Sequence, residues 1–354
     1  MRGVLAIITA AVLMMACGQG KERGASTQTR RTFHTDVLLK HMPVKNQGDG
    51  ELCWVYAMLA TIESEHMMQG DSIELSADHL AFMYLREQCL RNYSENEKRS
   101  LTTRGLAPMT LRLMRRYGCE PLSTFRAYDS IDYPALCRKL EVMTDGMTHQ
   151  SRGAEQVRHE VEEQLQETMG PMPRFVFMYS CEYTPLEFAH SVLREQEYVT
   201  LGSWTHHPFG SEYVIESPDN FYAECAVNVP LDSLQHLIDH ALVTGHAVCW
   251  EGDISEPGFS FEEGVAVMDI DAKGATQGRR QIEFDRHATT DDHCMAIVGK
   301  AHDDEGQRYY IAKNSWGKEN PFGGMMFISE AYLRMKTIAI VMSRQVLDNH
   351  QDKP

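Results

Sequence analysis

One cysteine in the sequence stands where a nucleophile would need to stand. Cys53 opens the apolar run CWVYAMLATIESEHMM, whose hydrophobic residues recur at helical spacing until Gly70 ends the run. The first turn of a helix lies at the positive end of the helix dipole, which favours the thiolate, the reactive form of cysteine. The position therefore predicts a nucleophile, although a buried core cysteine also fits this pattern on its own.

Three polar side chains elsewhere in the chain have the types that such a nucleophile requires. Gln47 lies six residues before Cys53, His293 stands at the start of a predicted strand, and Asn314 stands at the end of the next strand. An imidazole can accept the thiol proton, and an amide can orient that imidazole. A second amide can donate to a developing oxyanion. Individually these residues also fit a strand-edge histidine, a turn asparagine and a surface glutamine, but together those interpretations require three coincidences.

The order of these pieces resembles the papain superfamily of cysteine peptidases. The distance from Cys53 to His293 is 240 residues, longer than the roughly 130–150 of the simpler papains. Six phrases resemble the bleomycin hydrolase and aminopeptidase C branch, and the resemblance covers most of residues 40–343. These phrases are PVKNQGDGELCW, IELSADHL, RRYGCEP, PFGSEYVIE, NVPLDSL and GHAVCWEGDI.

The resemblance implies a peptide hydrolase that acts near the N-terminus of short peptides, often as a ring-shaped homo-oligomer, without a cofactor. It also implies a role for each matching residue. These are Cys53 as nucleophile, His293 as base, Asn314 as the support of the imidazole, Gln47 as oxyanion donor and Trp316 as a shield for the histidine–asparagine hydrogen bond.

The predicted cleft departs from the superfamily at two positions. Glu51 stands two residues before the nucleophile, where the superfamily has glycine, and Arg104-Gly105 replaces a glycine pair that lines the cleft in relatives. We expect Glu51, Trp54, Arg104 and Gly105 to contact substrate. Glu51 and Arg104 are predicted either to pair or to select charged substrate residues, and two solvent-exposed charges at the rim are the alternative.

The C-terminal segment leaves the mode of cleavage open. In the family a long C-terminal arm lies in the cleft and limits cleavage to substrate N-termini, whereas here RQVLDNHQDKP follows the last predicted strand. We therefore expect the arm to be largely absent, so endopeptidase action is an alternative to aminopeptidase action. Two further functions fit the same residues: acyl transfer through the same thioester, and a papain-fold binding or scaffolding protein with little catalysis.

Helical patterns dominate the first two thirds of the chain and strands the last third, which predicts an α+β fold. With the resemblance, this becomes a papain-like two-lobed fold with helical insertions in an N-terminal helical lobe. The C-terminal lobe is an antiparallel sheet or barrel. We expect a peptidase domain at 33–345, its helical lobe at about 50–245 and its β-lobe at about 246–343, and a short polar tail at 346–354.

The N-terminus has the layout of a secretion signal. Arg2 precedes an apolar run from Val4 to Ala16, which is too short for a permanent membrane span and is followed by a polar stretch. Residues 1–17 resemble a bacterial lipoprotein signal with Cys17 as the lipidated residue, and 18–32 fit a flexible linker. We therefore predict a lipid-anchored protein of the bacterial cell envelope; an uncleaved anchor or a buried helix is the alternative.

Composition excludes several functions. Asp plus Glu outnumber Lys plus Arg by 50 to 34, giving a formal charge of −16, which argues against nucleic-acid binding. No metal site is predicted, because adjacent side chains such as His206 and His207 point apart on an extended segment. The segment DIDAKGATQGRR begins like a calcium loop but ends in Arg280 instead of a glutamate. The cysteines other than Cys17 and Cys53 are interpreted as small buried hydrophobes.

Overall fold

The computed structural model describes residues 31–351, apart from 97, 129–130, 151 and 179. The predicted signal peptide, the predicted lipidation site Cys17 and nearly all of the predicted linker lie outside the described residues. Residues from Phe33 onward group into one unit.

The described residues form ten helices, seven of which lie before residue 245. They are α1 Cys53–Met68, α2 Ala77–Glu95, α3 Ala107–Tyr117, α4 Tyr133–His149, α5 Ala154–Met169, α6 Pro185–Val192, α7 Leu231–Thr244, α8 Gln277–Asp285, α9 Glu330–Lys336 and α10 Gln345–Gln351. Within the described residues, none of these helices combines the length and apolar character needed to span a bilayer.

The described strands have two to eleven residues, and the two longest follow residue 245. They are β1 Phe33–Leu38, β2 Val176–Met178, β3 Cys181–Tyr183, β4 Tyr198–Gly202, β5 Glu212–Val214, β6 Cys225–Asn228, β7 Val248–Gly252, β8 Phe259–Ser260, β9 Val265–Ala266, β10 His293–Asp303, β11 Arg308–Lys313, β12 Met325–Ser329 and β13 Thr337–Ser343. Apart from the β2–β3 hairpin, the described strands join one large sheet ordered β5-β6-β4-β13-β7-β10-β11-β12-β9-β8, with β1 paired to β10. The predicted α+β class is confirmed.

The buried helix α1 and the central strand β10 are the two elements that carry the chemistry predicted from the sequence. Helix α1 is buried along most of its length, with fully buried Met58 and Ile62 in the larger of the hydrophobic clusters. Strand β10 lies between β7 and β11, and His293 pairs with Gly252 at its start. Because α1 packs against β10, residue 53 and residue 293 meet despite their separation in sequence.

The structure differs from the predicted architecture in two respects. The sheet is mixed instead of antiparallel, because β12 pairs with β9 and β4 pairs with β6 in parallel. In addition, β4, β5 and β6 fall inside the range predicted for the helical lobe. They join the sheet because β4 pairs antiparallel with the last strand, β13.

The first part of the predicted polar tail at 346–354 lies in helix α10. Val346 is fully buried, and Leu347 packs against the same hydrophobic cluster as α7. The backbone N–H of Arg344 donates to the carbonyl of Glu197 at 2.8 Å, which fixes the start of this helix beside β4. Burial of this short apolar face outweighs the polar composition of the segment.

Candidate active site

Cys53 is the first residue of α1 and is partly exposed, between the fully buried side chains of Leu52 and Trp54. The Trp54 indole N–H donates to the backbone carbonyl of Thr103 at 2.8 Å, and the Glu51 N–H donates to the Thr103 hydroxyl at 3.0 Å. These bonds hold the start of the helix against a neighbouring loop. The helix therefore presents its positive end and the Cys53 sulfur to the same open space.

His293 is nearly buried, and its ring is fixed by Asn314. The His293 Nε2 and the Asn314 Oδ1 lie 2.8 Å apart, and the same oxygen accepts the backbone N–H of Ser315 at 2.7 Å. Because Asn314 Oδ1 acts as an acceptor, His293 carries its proton on Nε2, which leaves Nδ1 free to accept a proton. The Trp316 ring covers the histidine, with centroids 4.5 Å apart.

The pKa of the Cys53 thiol lies well below its ordinary value. The largest cause is a hydrogen bond with the Cys294 thiol, followed by the opposing effect of burial and then by a hydrogen bond and favourable charge interaction with His293. The backbone of Cys294 contributes a further hydrogen bond. Because each favourable contact stabilises the anion, Cys53 has the character of a thiolate.

Gln47 is held beside the cysteine by the loop that follows Asn314. Its backbone N–H donates to the Ser315 carbonyl at 2.8 Å, and its Oε1 accepts the Ser315 hydroxyl at 2.6 Å. One side-chain N–H donates to the Gly50 carbonyl at 2.8 Å. An amide nitrogen has two hydrogens, so the second is available to the cleft that Gln47 lines.

The predicted pairing of Glu51 with Arg104 is present, and it is extended by a further acid. The Arg104 guanidinium lies 3.2 Å from Glu51 and 2.8 Å from the buried carboxylate of Asp219. A longer contact of 3.5 Å reaches the backbone carbonyl of Asp291. Arg104 therefore joins the side of the cleft near the cysteine to the side near the histidine.

Trp54 and Gly105 form one wall of the cleft. The Trp54 side chain is fully buried, so it lines this wall from within the protein. A Cβ atom on Gly105 would lie only 2.7 Å from the Trp54 ring, so this wall can form only if residue 105 lacks a side chain. Trp54 therefore has a packing role behind Gly105, and substrate contact at both residues stays a prediction.

These side chains surround one open cavity of about 200 Å³. It is lined by Gln47, Glu51, Cys53, Trp54, Arg104, Gly105, Asp219, Asp291, Asp292, His293, Cys294 and Trp316. The cavity is large enough for a few atoms of an extended chain but not for a whole bulky ligand.

Comparison with known proteins agrees with this geometry. The model of the Peptidase C1-like family matches residues 177–353, half of the chain. The chain belongs to this family. Cysteine proteinase 1, mitochondrial, of Saccharomyces cerevisiae is 24% identical over 377 residues, covering 89% of this chain and 77% of that protein. The crystal structure of PepW from Lactobacillus rhamnosis has a TM-score of 0.68 at 18% identity, covering 92% of this chain and 87% of that one, so the two share a fold.

Family membership confirms the resemblance that the motifs predicted, namely a papain-like cysteine peptidase. The structure shows in addition which residues of the site could be predicted from the sequence and which could not. Cys294 was interpreted as a small buried hydrophobe, and it is buried, but its thiol touches Cys53. Its position directly after His293 was the available signal, since it places the backbone of Cys294 near the sulfur.

A pair of carboxyl groups beside the cysteine was also missed. Asp291 lies close enough to the fully buried Glu251 for each carboxyl group to affect the pKa of the other. Burial raises the pKa of Asp291 to about 7. The Ser217 hydroxyl, which donates to Asp291 at 2.8 Å, partly offsets this rise, and the charge of Cys53 adds to it. Burial likewise raises the pKa of Glu251 well above its ordinary value.

The prediction that His206 and His207 point apart is wrong. Their ring centroids are 4.2 Å apart, and their Nε2 atoms lie 2.7 and 3.4 Å from the carboxylate of Glu216. However, the Gln281 amide nitrogen, which donates to Asp285 at 2.7 Å, also donates to His206 Nδ1 at 2.9 Å. The His206 proton then lies on Nε2, the atom facing Glu216. A histidine that binds a metal needs an unprotonated nitrogen facing the site and a proton on the other nitrogen, which is the opposite arrangement.

Proposed function

We propose that this member of the Peptidase C1-like family is a thiol-dependent peptidase with Cys53 as nucleophile and His293 as general base. The observation that carries the proposal is the contact of the His293 ring with the Cys53 sulfur at the start of α1, where the thiol pKa is lowered. A thiolate paired with an imidazolium is the resting state from which acyl transfer to sulfur proceeds.

In the proposed reaction, the Cys53 sulfur attacks the carbonyl carbon of the scissile peptide bond. The carbonyl oxygen becomes an oxyanion, which accepts hydrogen bonds from the free Gln47 side-chain N–H and the Cys53 backbone N–H. His293 then gives its proton to the leaving amine, and the C–N bond breaks to leave a thioester on Cys53. Water, deprotonated by His293, hydrolyses the thioester and restores the thiol.

Asn314 and Trp316 act through the histidine in this proposal. Asn314 accepts from His293 Nε2 and so keeps the other ring nitrogen directed towards the sulfur. Trp316 limits the access of water to that hydrogen bond. Both residues are positioning residues, because the reacting atoms are those of Cys53, His293 and the substrate.

We propose short peptides with a free amino terminus as the substrates. The cleft carries the acidic residues Glu51, Asp219, Asp291 and Asp292 against the single cationic guanidinium of Arg104 among its lining residues. This surplus of acidic groups favours a positively charged group near the scissile bond. The described residues of α10 pack against α7 and β13, so they leave the cleft open. Endopeptidase action therefore remains the alternative.

The proposal is tested by labelling with a limiting amount of iodoacetamide or an active-site-directed epoxide, followed by peptide mapping. We expect Cys53 to react first in the wild type, and the His293→Ala variant to react more slowly at neutral pH because the thiolate has lost its partner. The exposed Cys225 provides the matched control, since Cys225→Ser should leave labelling of Cys53 unchanged. Labelling of Cys225 in preference to Cys53 would instead favour a papain-fold binding protein.

The mode of cleavage is tested with paired peptides that differ only in N-acetylation. Aminopeptidase action predicts that the free peptides are cut and the blocked peptides are not. Cleavage of both members of each pair would establish the endopeptidase alternative without affecting the assignment of the nucleophile.

A further inference from the structure

A second thiol lies against the proposed nucleophile. Cys294 directly follows His293 on β10, is almost fully buried, and lines the same cleft as Cys53. Its side chain belongs to the hydrophobic cluster against which Cys53 packs, and the two thiols are in hydrogen-bonding contact. The nucleophilic sulfur therefore has another sulfur as a direct neighbour, on a different element of the fold.

The two thiols have opposite characters. The pKa of Cys53 is lowered, chiefly by the Cys294 hydrogen bond, whereas burial and the adjacent Cys53 raise the pKa of Cys294. The partly exposed sulfur is thus the more acidic of the two, and the buried one retains its proton to higher pH. An exposed thiolate is the form that oxidants attack, and a neighbouring protonated thiol is a partner that can capture the product of that attack.

Cys249 is the other thiol in this region, and it is less well placed. It lies on β7 opposite Ala296, two residues further along β10 than Cys294, and its thiol bonds to Thr61 on α1. Cys294 is consequently the thiol with access to the Cys53 sulfur.

We propose that Cys53 and Cys294 form a reversible disulfide when the protein meets a hydroperoxide. The Cys53 thiolate attacks the outer oxygen of the peroxide, the O–O bond breaks, and the sulfur is oxidised to a sulfenic acid, while the hydroxide or alkoxide takes the proton of the His293 imidazolium and leaves as water or alcohol. The Cys294 sulfur, losing its proton to His293, then attacks the Cys53 sulfur and displaces hydroxide, which leaves as water. A dithiol reductant reverses the change by thiol–disulfide exchange.

This modification would act on the proposed function, on which the inference rests, by converting the nucleophile into an inactive but recoverable form. A cysteine without such a partner proceeds to sulfinic acid, which dithiols do not reduce. Cys294 would therefore protect Cys53 as well as inactivate it.

The test treats the full chain with a small excess of hydrogen peroxide, blocks free thiols with N-ethylmaleimide, and maps the non-reduced digest by mass spectrometry. In the wild type we expect a linked peptide pair containing Cys53 and Cys294, which dithiothreitol separates. In Cys294→Ala and Cys294→Ser, Cys53 should instead be trapped by dimedone as sulfenic acid. The fraction of Cys53 thiol recovered by dithiothreitol should fall about tenfold, relative to the untreated sample of the same variant.

Cys249→Ala is the matched control and should form the same linked pair as the wild type. Cys294→Ser is used in case Cys294→Ala does not fold. The inference fails if wild-type Cys53 accumulates as sulfinic acid while Cys294 stays a free thiol and is alkylated by N-ethylmaleimide. It also fails if Cys53 links to Cys249. The mass readout needs no peptidase activity, so a linked pair in a protein that cuts no peptide would overturn only the proposed function. Peptide hydrolysis without a linked pair would overturn only this inference.

Discussion

At the scale of single residues, the acidic pair behind the nucleophile makes the site sensitive to pH. Glu251 is fully buried and accepts the backbone N–H of Ala107 at 3.2 Å, while Asp291 faces the cleft. Burial raises the pKa of both carboxyl groups and so favours the retention of a proton on the pair, which limits the negative charge beside the Cys53 sulfur. Loss of that proton places two like charges in a poorly solvated site.

We predict that Asp291→Asn stabilises the protein at high pH. The pKa of Asp291 is raised from 3.8 to about 7. Between these values the unfolded chain loses its proton while the folded chain keeps it, so the free energy of unfolding falls as pH rises through this window. The variant removes that loss, and we expect its Tm at pH 8 to exceed that of the wild type by about 2 °C or more, with little difference at pH 4.

Thermal unfolding across this pH range provides the measurement, with Asp269→Asn at an exposed position as the control. Equal pH dependence in the wild type and Asp291→Asn would contradict the assignment.

Single residues also show how far sequence reasoning reaches. Residue type, order and spacing were enough to select Cys53, His293, Asn314 and Gln47, which the structure brings around one cleft. The contact between Cys53 and Cys294 was not predictable, because it depends on how β10 lies against α1. The same holds for the partner of Arg104, since Asp219 lies 115 residues away and only the folded chain brings it near.

At the scale of elements, one buried glutamate ties together the segments that carry the site. Glu63 on α1 accepts from Lys45 at 2.8 Å and from the backbone N–H of Leu75 at 2.8 Å, and it lies 3.8 Å from Lys313. Lys45 is two residues before Gln47, and Lys313 is followed directly by Asn314. The helix that presents the sulfur therefore also anchors the loops that present both amides.

We predict that Glu63→Gln destabilises the fold by about 3 kcal/mol, because it removes the closest counter-charge of two poorly solvated lysines and leaves Glu74, 3.5 Å from Lys45, as the remaining acid nearby. Burial already lowers the pKa of Lys313 to about 8, and Glu63 is the chief opposing influence. Urea unfolding measures the change. Glu155→Gln, which removes a largely exposed partner of Arg158, is the control and should leave the free energy of unfolding nearly unchanged, because solvent screens this pair. A similar small loss in both variants would refute the anchoring role.

Elements with a strong local pattern were predicted and those held by distant partners were missed. Helix α2 has such a local pattern, since Ser76 directly precedes its first turn and the Ser76 hydroxyl accepts the backbone N–H of His79. Strand β1, by contrast, is largely exposed and has no alternating pattern, so its conformation depends on pairing with β10. Helix α4 was missed although Asp132 caps it and a proline stands in its first turn, a local signal that could have been used.

At the scale of the whole molecule, the predicted envelope location rests on residues outside the described part of the chain. The apolar run that ends before Cys17 predicts processing and lipidation at that cysteine. A lipid anchor would hold the acidic peptidase unit at a membrane surface through the predicted linker.

We expect the wild-type protein, produced in a bacterium, to sediment with membranes and to enter the detergent phase, and Cys17→Ala to lose the lipid and leave that phase. Cys225→Ser should behave as the wild type. Identical partitioning of Cys17→Ala and the wild type would show that Cys17 is not the anchor.

The central claim is that peptide hydrolysis proceeds through the Cys53 sulfur. The most direct measurement is the product profile from a defined mixture of short peptides, followed by mass spectrometry for the wild type, Cys53→Ala and the control Cys225→Ser. We predict the same products from the wild type and the control, and a loss of at least about a thousandfold in rate for Cys53→Ala. The same products at an undiminished rate from Cys53→Ala would contradict the claim.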